Sequence, residues 1–96
     1  MTEQQIQTNI IKLVKKQYNG YVVNGNYSTA GIPDLICCID GKFIGIEVKK
    51  PGEQPRELQY HHIDLIVKSG GYAFYTTSVD DCKLKLDSLF NKQIEI

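Results

Sequence analysis

The stretch GIPDLICCIDGKFIGIEVKK, residues 31–50, decides the fold of this chain. In its middle, two runs of strand-forming residues flank the dipeptide Asp40-Gly41. An Asp-Gly pair between two such runs is a strong signal for the two-residue turn of a β-hairpin. We therefore predict an antiparallel hairpin in which Ile39 lies opposite Lys42.

This register brings two carboxylates together at the far end of the hairpin. Each step away from the turn moves one residue back on the first strand and one forward on the second. Five steps from the turn pair, Asp34 lies opposite Glu47. Directly opposed residues share a face, with Cβ atoms about 4.5 to 5.5 Å apart. Lys49, two residues beyond Glu47, lies on the same face because side chains alternate along a strand.

The remaining hairpin residues are apolar on both faces. One face holds Leu35, Cys37, Ile39, Ile44, Ile46 and Val48, and the other holds Ile36, Cys38, Phe43 and Gly45. A ribbon that is apolar on both faces is typical of the centre of a sheet covered on both sides. We therefore predict that helices cover both faces of the hairpin.

Two carboxylates side by side on such a ribbon repel each other, and a divalent cation removes this cost. Mg²⁺ is coordinated by carboxylate oxygens at about 2.1 Å, and waters and a substrate phosphate complete its coordination shell. The backbone carbonyl of Val48 offers a further oxygen, and Lys49 could orient or help deprotonate an attacking water. The alternative is that Glu47 and Lys49 form an ordinary ion pair at an exposed strand end. The residues alone leave both readings open.

The flanking sequence predicts an α-β-β-β-α-β-α order, a mixed α/β sheet with helices packed on it. The predicted elements outside the hairpin are a helix over about 3–18, a strand at 21–23, a helix beginning near Pro55 and ending at Gly70-Gly71, a strand over 72–76 and a last helix. Thr2 and Gln5 form a capping-box pattern at the first helix, and Ser78 with Asp81 is expected to cap the last. A chain of 96 residues forms one domain, residues 1–96.

Composition excludes some classes of function. Eleven basic and eleven acidic residues cancel, which argues against a protein that coats DNA but not against an enzyme. With a polar start and no long apolar run, we expect no signal peptide, no membrane span and a cytoplasmic location. Three cysteines without CxxC spacing are expected to be reduced and buried. Adjacent His61 and His62 diverge by about 100° on a helix, so they do not readily chelate one ion.

The motifs Gly31 to Leu35 (GIPDL) and Ile46 to Lys49 (IEVK) resemble the paired motif of the PD-(D/E)XK nuclease superfamily. More narrowly, the chain is similar to a stand-alone VRR-NUC domain, the virus-type replication-repair nuclease, which is similar in fold to Holliday-junction resolvases. Glu3 and Gln59 match a glutamate and a glutamine of the same pattern. The resemblance extends from Glu3 to about Thr76.

The resemblance implies a restriction-endonuclease-like core, with a central mixed four-stranded sheet flanked by helices. It implies a Mg²⁺ site, in which Mn²⁺ substitutes, formed by Asp34, Glu47 and the Val48 carbonyl. Lys49 would activate water, Gln59 would orient the water or the lysine, and Glu3 would hold a water of the metal shell or a second ion. The implied activity is a DNA endonuclease selective for junctions, flaps or duplex in viral-type replication, recombination or repair. Its location would be the host cytoplasm if the chain is viral, and no organic cofactor is expected.

Partners follow from the same interpretation. DNA-backbone contacts are expected from Ser28, Thr29, Lys42, Lys50 and Arg56, for which an ordinary solvated charged surface is the alternative. A homodimer is expected because the chain is small and near neutral. Since helices are expected to cover the hairpin, we predict dimer contacts from helix 1 and the Tyr18 to Tyr27 segment.

Two other functions stay open at this point. The first is a catalytically silent DNA-structure-binding or regulatory module with the same fold. The second is an α/β interaction protein without any nucleic-acid role.

Overall fold

The computed structural model of the protein describes residues 1–25 and 29–90. In chain order, the described elements are α1 (Glu3–Gln17), β1 (Tyr21–Asn24), β2 (Leu35–Ile39), β3 (Lys42–Val48), α2 (Glu57–Lys68), β4 (Tyr72–Thr76) and α3 (Val79–Phe90). The predicted order of helices and strands is confirmed. None of the helices within the described ranges is long and apolar enough to span a bilayer.

The first helix begins with the predicted capping box. The Gln5 N–H donates to Thr2 Oγ1 at 3.1 Å, and the Thr2 N–H donates to Gln5 Oε1 at 2.8 Å. These bonds satisfy backbone donors that have no partner within the helix. The apolar residues at helical spacing all face the core, and they are Ile6, Ile10, Leu13 and Val14. The helix uses these four residues in the core, while Ile11 is only partly buried, and the predicted dimer contacts of this helix stay a prediction.

The hairpin has the predicted turn and register. Ile39 pairs with Lys42, and the ladder continues to the pair formed by Leu35 and Ile46. Asp40 and Gly41 have φ values of 52° and 78°, the left-handed conformation that this two-residue turn requires. The strand order is β1-β2-β3-β4, so the hairpin lies at the centre of the sheet, as predicted. β1 is antiparallel to β2, whereas β4 is parallel to β3 through the crossover helix α2.

One face of the sheet is fully covered. The six hairpin residues predicted on the apolar face are each at most 3% exposed, and they pack with α1 and with Cys82 and Leu86 of α3. Ser78 accepts the Asp81 N–H at 3.0 Å at the start of α3, which confirms the predicted cap. Cys37 and Cys82 are buried and free, as expected, but Cys38 is exposed.

The other face is only half covered, contrary to the prediction. α2 contacts β3 and β4 and approaches Gly45 closely, since a Cβ there would lie 3.1 Å from Ile66 Cδ1. A helix about 10 Å wide covers about two strands spaced about 4.8 Å apart, so one helix cannot cover four. Tyr21, Val23 and Phe43 are therefore 68%, 39% and 47% exposed on the outer surface of β1 to β3. We call this surface, together with Leu65 at the rim of α2, the open face.

The ends of α2 also differ in detail from the prediction. The helix begins at Glu57, so that Pro55 precedes the N-cap residue Arg56 rather than occupying the first turn. Its apolar residues are only partly used in packing, since Leu58, Leu65 and Val67 are 46%, 45% and 50% exposed.

Candidate active site

The two carboxylates meet where the hairpin strands end. Asp34 directly precedes β2, and its Oδ2 accepts the backbone N–H of Val48 at 2.9 Å. Its own carbonyl accepts the N–H of Gly25 at 2.9 Å. Two backbone contacts thus anchor Asp34 across the strands, and the hairpin register places it beside Glu47.

Glu47 is 2% exposed, although glutamate is among the residue types least often buried. Its two oxygens have different surroundings. Oε2 accepts a hydrogen bond from Gln59 Nε2 at 2.6 Å and lies 3.6 Å from Lys49 Nζ. Oε1 is buried and has no hydrogen-bond partner among the described residues. A buried carboxylate oxygen without a partner is costly, which indicates that a further group belongs beside it.

The surroundings of both carboxylates disfavour their ionised forms. Burial, followed by the neighbouring charge of Asp34, raises the pKa of Glu47 from its ordinary 4.5 to about 7, against the opposing charge of Lys49. Burial also raises the pKa of Asp34, although the Val48 N–H and the charge of Lys49 act in the opposite direction. Such pairs of raised carboxyl groups are a feature of functional sites, because a bound cation would favour ionisation of both.

Lys49 is positioned by the parallel strand. Its backbone N–H donates to the carbonyl of Thr76 at 2.9 Å, and its side chain is 12% exposed. Thr76 is itself buried and its hydroxyl donates to Asp81 at 2.7 Å. Lys49 therefore lies on the face of Glu47, as the alternation of side chains predicted, and a backbone contact with β4 that the hairpin pattern did not predict anchors it there.

These residues line a cleft of about 560 Å³ at the end of the sheet. Among the predicted catalytic and DNA-contact residues, the cleft brings together Glu3, Asp34, Glu47, Lys49, Arg56 and Gln59. Glu53 and Gln54 also line it and were missed by the sequence reasoning. The available signal was their place in the polar segment between Lys49 and Gln59, which must pass the site.

The other predicted DNA-contact residues lie away from the cleft lining. Lys50 is exposed immediately after Lys49, and Thr29 is exposed in the loop before Gly31. Lys42 is at the turn end of the hairpin with its ammonium over the ring of Phe90, 5.3 Å from the ring centre. Five residues of extended strand, about 17 Å, separate it from Glu47, so the structure does not bring it to the cleft. Ser28 lies outside the described residues.

The donor set suits a hard cation with few protein ligands. Within the described part of the chain, no three His, Cys, Asp or Glu residues are arranged to hold a metal ion. Mg²⁺ is usually bound by one or two carboxylates, with waters and substrate phosphates completing its shell. Asp34, Glu47 with its unpartnered Oε1, and a backbone carbonyl such as that of Val48 fit this pattern. His61 and His62 diverge on α2, with ring centres 5.8 Å apart.

Comparison with known proteins adds information on the fold. Neither protein-family models nor curated protein sequences give a match to this chain. A solved structure described as "VRR_NUC domain" is similar to it, with a TM-score of 0.74 and 23% identity over 93% of this chain and 94% of the other. A second, described as "VRR_NUC domain protein", has a TM-score of 0.72 and 23% identity over 91% and 86%. At this level of identity the likeness shows the fold, and the predicted fold class is confirmed.

Proposed function

We propose that this VRR_NUC-like chain is a Mg²⁺-dependent DNA endonuclease that hydrolyses phosphodiester bonds at the cleft formed by Asp34, Glu47 and Lys49. The observation that carries the proposal is the buried Glu47 carboxylate, whose Oε1 has no partner among the described residues and which lies beside a second carboxylate. A structural ion pair would satisfy both oxygens. A cation site leaves one oxygen for the ion.

Each residue of the cleft has a role in this proposal. A bound Mg²⁺, for which Mn²⁺ would substitute, would supply charge neutralisation at the scissile phosphate and lower the pKa of water. Asp34, Glu47 and the Val48 carbonyl would hold the ion, with Glu3 holding a water of its shell or a second ion. Lys49, with Nζ 3.6 Å from Glu47 Oε2, would orient the attacking water or accept its proton and stabilise charge on the phosphate.

The surroundings of the cleft suit a nucleic-acid backbone. Arg56 lines the cleft and the exposed Lys50 directly follows Lys49 in the chain, so both can meet phosphates without reading base sequence. Thr29, in the loop before Asp34, and Ser28, which precedes it in the sequence, would contact the same backbone. We propose DNA as the partner, with junctions, flaps or duplex as substrates in viral-type replication, recombination or repair. No organic cofactor enters this scheme.

Incubation of the protein with linear, flap and four-way-junction DNA in Mg²⁺ or Mn²⁺ tests the proposal. The wild-type chain is expected to cleave at least one substrate, and EDTA is expected to stop cleavage. Lys49→Ala is expected to abolish cleavage with the fold intact by circular dichroism. Lys68→Ala is the control, because this lysine is 73% exposed and, within residues 1–25 and 29–90, forms an ion pair with Asp64 alone on the surface of α2.

Three outcomes would contradict the proposal. Cleavage by Lys49→Ala at the wild-type rate would refute the assigned mechanism. Wild-type protein that binds DNA and metal without cleaving any substrate would identify a silent DNA-binding module instead. Absence of both DNA and metal binding would favour an interaction protein.

We also propose that the active form is a homodimer joined through the open face. From their exposed fractions, Tyr21, Val23, Phe43 and Leu65 offer roughly 350 Å² of apolar surface, since a large side chain presents about 150 to 250 Å². Adjoining Ile36 and Cys38 bring this closer to the roughly 500 Å² of apolar surface that each partner of a standard homodimer interface buries.

Charge favours a second copy over nucleic acid as the occupant of the open face. The outward residues of β1, β2 and β3 include no lysine or arginine within the described ranges, so a phosphate backbone finds no cation there. None of the residues that define the open face lines the cleft, so a two-fold axis through this face would leave both clefts accessible. Two antiparallel DNA strands could then each meet one site.

A further inference from the structure

We propose that Gln59 is a positioning residue that holds Glu47 so that Oε1 is presented to the metal ion. In doing so, Gln59 couples the start of α2 to the proposed metal site. This inference rests on the proposed function, since it assigns a role within the same cleft. It differs from the role that the family resemblance implies, in which Gln59 orients the water or the lysine.

The orientation of the Gln59 amide follows from its partners. The backbone N–H of Arg56 is 2.7 Å from Gln59 Oε1. A backbone N–H can only donate, so the atom facing it must be the amide oxygen. The amide nitrogen is therefore the atom that lies 2.6 Å from Glu47 Oε2. One planar group thus joins a helix terminus to a buried carboxylate, with its two ends committed to different partners.

The contact decides which way the Glu47 carboxylate faces. The last side-chain torsion of glutamate has a broad distribution, so a carboxylate without hydrogen-bond donors has no preferred orientation. Gln59 and Lys49 both approach Oε2, which leaves Oε1 facing the side where no described residue provides a partner. Gln59 is 9% exposed, so bulk water cannot readily replace its donor.

The same amide also caps α2. Arg56 occupies the N-cap position, but its guanidinium has no acceptor atom and cannot satisfy a helix N–H. The Arg56 N–H donates to the Gln59 oxygen, and this hydrogen bond is therefore the side-chain contact that closes this terminus. In this helix, the amide nitrogen of the same residue also donates to the buried carboxylate of Glu47.

The chain contains a matched control at the start of α1. Gln5 occupies the equivalent helix position, and its Oε1 accepts the Thr2 N–H at 2.8 Å, close to the 2.7 Å of the Gln59 contact. Gln5 is exposed and donates to no carboxylate in the described structure. Gln5→Ala therefore removes a cap, whereas Gln59→Ala removes a cap and the donor to Glu47. The difference between them reports the Glu47 contact.

Calorimetric titration of the full chain with Mn²⁺ in the absence of DNA measures this difference. We expect Gln59→Ala to raise the Mn²⁺ dissociation constant by about 10-fold or more, the usual effect of removing a group that orients a metal ligand. Gln5→Ala should leave the constant within about 2-fold of the wild type. In cleavage assays, Gln59→Ala should shift the Mg²⁺ midpoint upward with KM for DNA unchanged. Gln59→Met fills similar space without hydrogen-bonding groups and serves if the alanine variant does not fold.

The outcomes separate this inference from the proposed function. A wild-type chain that binds no Mn²⁺ would overturn both. Wild-type binding with an unchanged constant in Gln59→Ala or Gln59→Met would overturn only the positioning role. An equal rise in Gln5→Ala would also overturn it, since the effect would then come from helix capping alone.

Discussion

Replacing Glu47 by glutamine is expected to stabilise the metal-free protein at neutral and alkaline pH. The pKa of Glu47 is raised from 4.5 to about 7, so ionising this residue costs more in the folded state than in the unfolded chain. At about 1.36 kcal/mol per pH unit, the shift corresponds to about 3 kcal/mol. Glutamine keeps the shape and an acceptor oxygen for Gln59 but carries no charge beside Asp34. We expect a gain on the order of 2 to 3 kcal/mol.

The pH dependence of this gain identifies its cause. A carboxyl group with a raised pKa in the folded state binds its proton more tightly there than in the unfolded chain. Its contribution to stability is therefore full below about pH 4.5 and is lost as the pH rises through about 7. The difference between Glu47→Gln and wild type should be small near pH 4.5 and largest near pH 8. Subtracting the two proteins at each pH cancels the titration of all other groups.

Urea unfolding of both proteins in EDTA, at half-unit steps from pH 4.5 to 8, measures this difference. A gain of 2 kcal/mol would raise Tm by on the order of 10 °C for a domain of this size. Adding Mg²⁺ at ten times its Kd should stabilise the wild type by about 1.4 kcal/mol and leave the variant unchanged. A variant that is less stable than wild type at pH 8, or equally stabilised by Mg²⁺, would refute the assignment of Glu47 as a buried cation ligand.

Two further predictions concern Asp34 and the open face. In urea unfolding, Asp34→Ala should be less stable than Asp34→Asn by about 1 to 3 kcal/mol, because only asparagine can still accept the part-buried N–H of Val48. Both variants should lose cleavage. Equal stabilities of the two variants would show that this hydrogen bond does not contribute to stability. In light scattering at tens of micromolar, the wild type should have about twice the 10.9 kDa chain mass and Phe43→Asp should be monomeric, whereas Leu84→Asp, at a 67% exposed position on α3, should stay dimeric. A monomeric wild type would exclude the proposed dimer.

The hairpin could be predicted in detail because its information is local. A two-residue turn determines the register of the whole ribbon, and the position of Asp34 beside Glu47 follows by counting. Strand alternation also placed Lys49 on the face of Glu47, and its ammonium lies 3.6 Å from that carboxylate. The local argument could not predict the contact of the Lys49 N–H with Thr76, because that contact depends on a parallel pairing between distant segments. Lys42 lies at the other end of the strand from Glu47, since nearness in sequence along an extended strand becomes separation in space, and its contact with DNA stays a prediction.

It was harder to predict which parts of the sheet are covered than to predict which strands form it. Apolar residues on both hairpin faces indicate burial, but they do not say whether a helix or another chain provides it. Phe43 and Tyr21 have large aromatic side chains of the kind found in buried sheets, yet they are 47% and 68% exposed. Glu53 and Gln54 were missed because the sequence shows that the segment around them separates β3 from α2 but does not show which surface of the sheet this segment crosses.

The crossover between β3 and β4 has a consequence for the order of folding. The hairpin needs only a two-residue loop, so Asp34 and Glu47 can be brought together by contacts near in sequence. Pairing β4 with β3 requires closing residues 49–71, and the entropy of closing a chain segment increases with its length. Non-local pairings of this kind form slowly. Lys49 acquires its backbone anchor on Thr76 only at that step, so the two carboxylates come together before the lysine ammonium beside Glu47 is held in place.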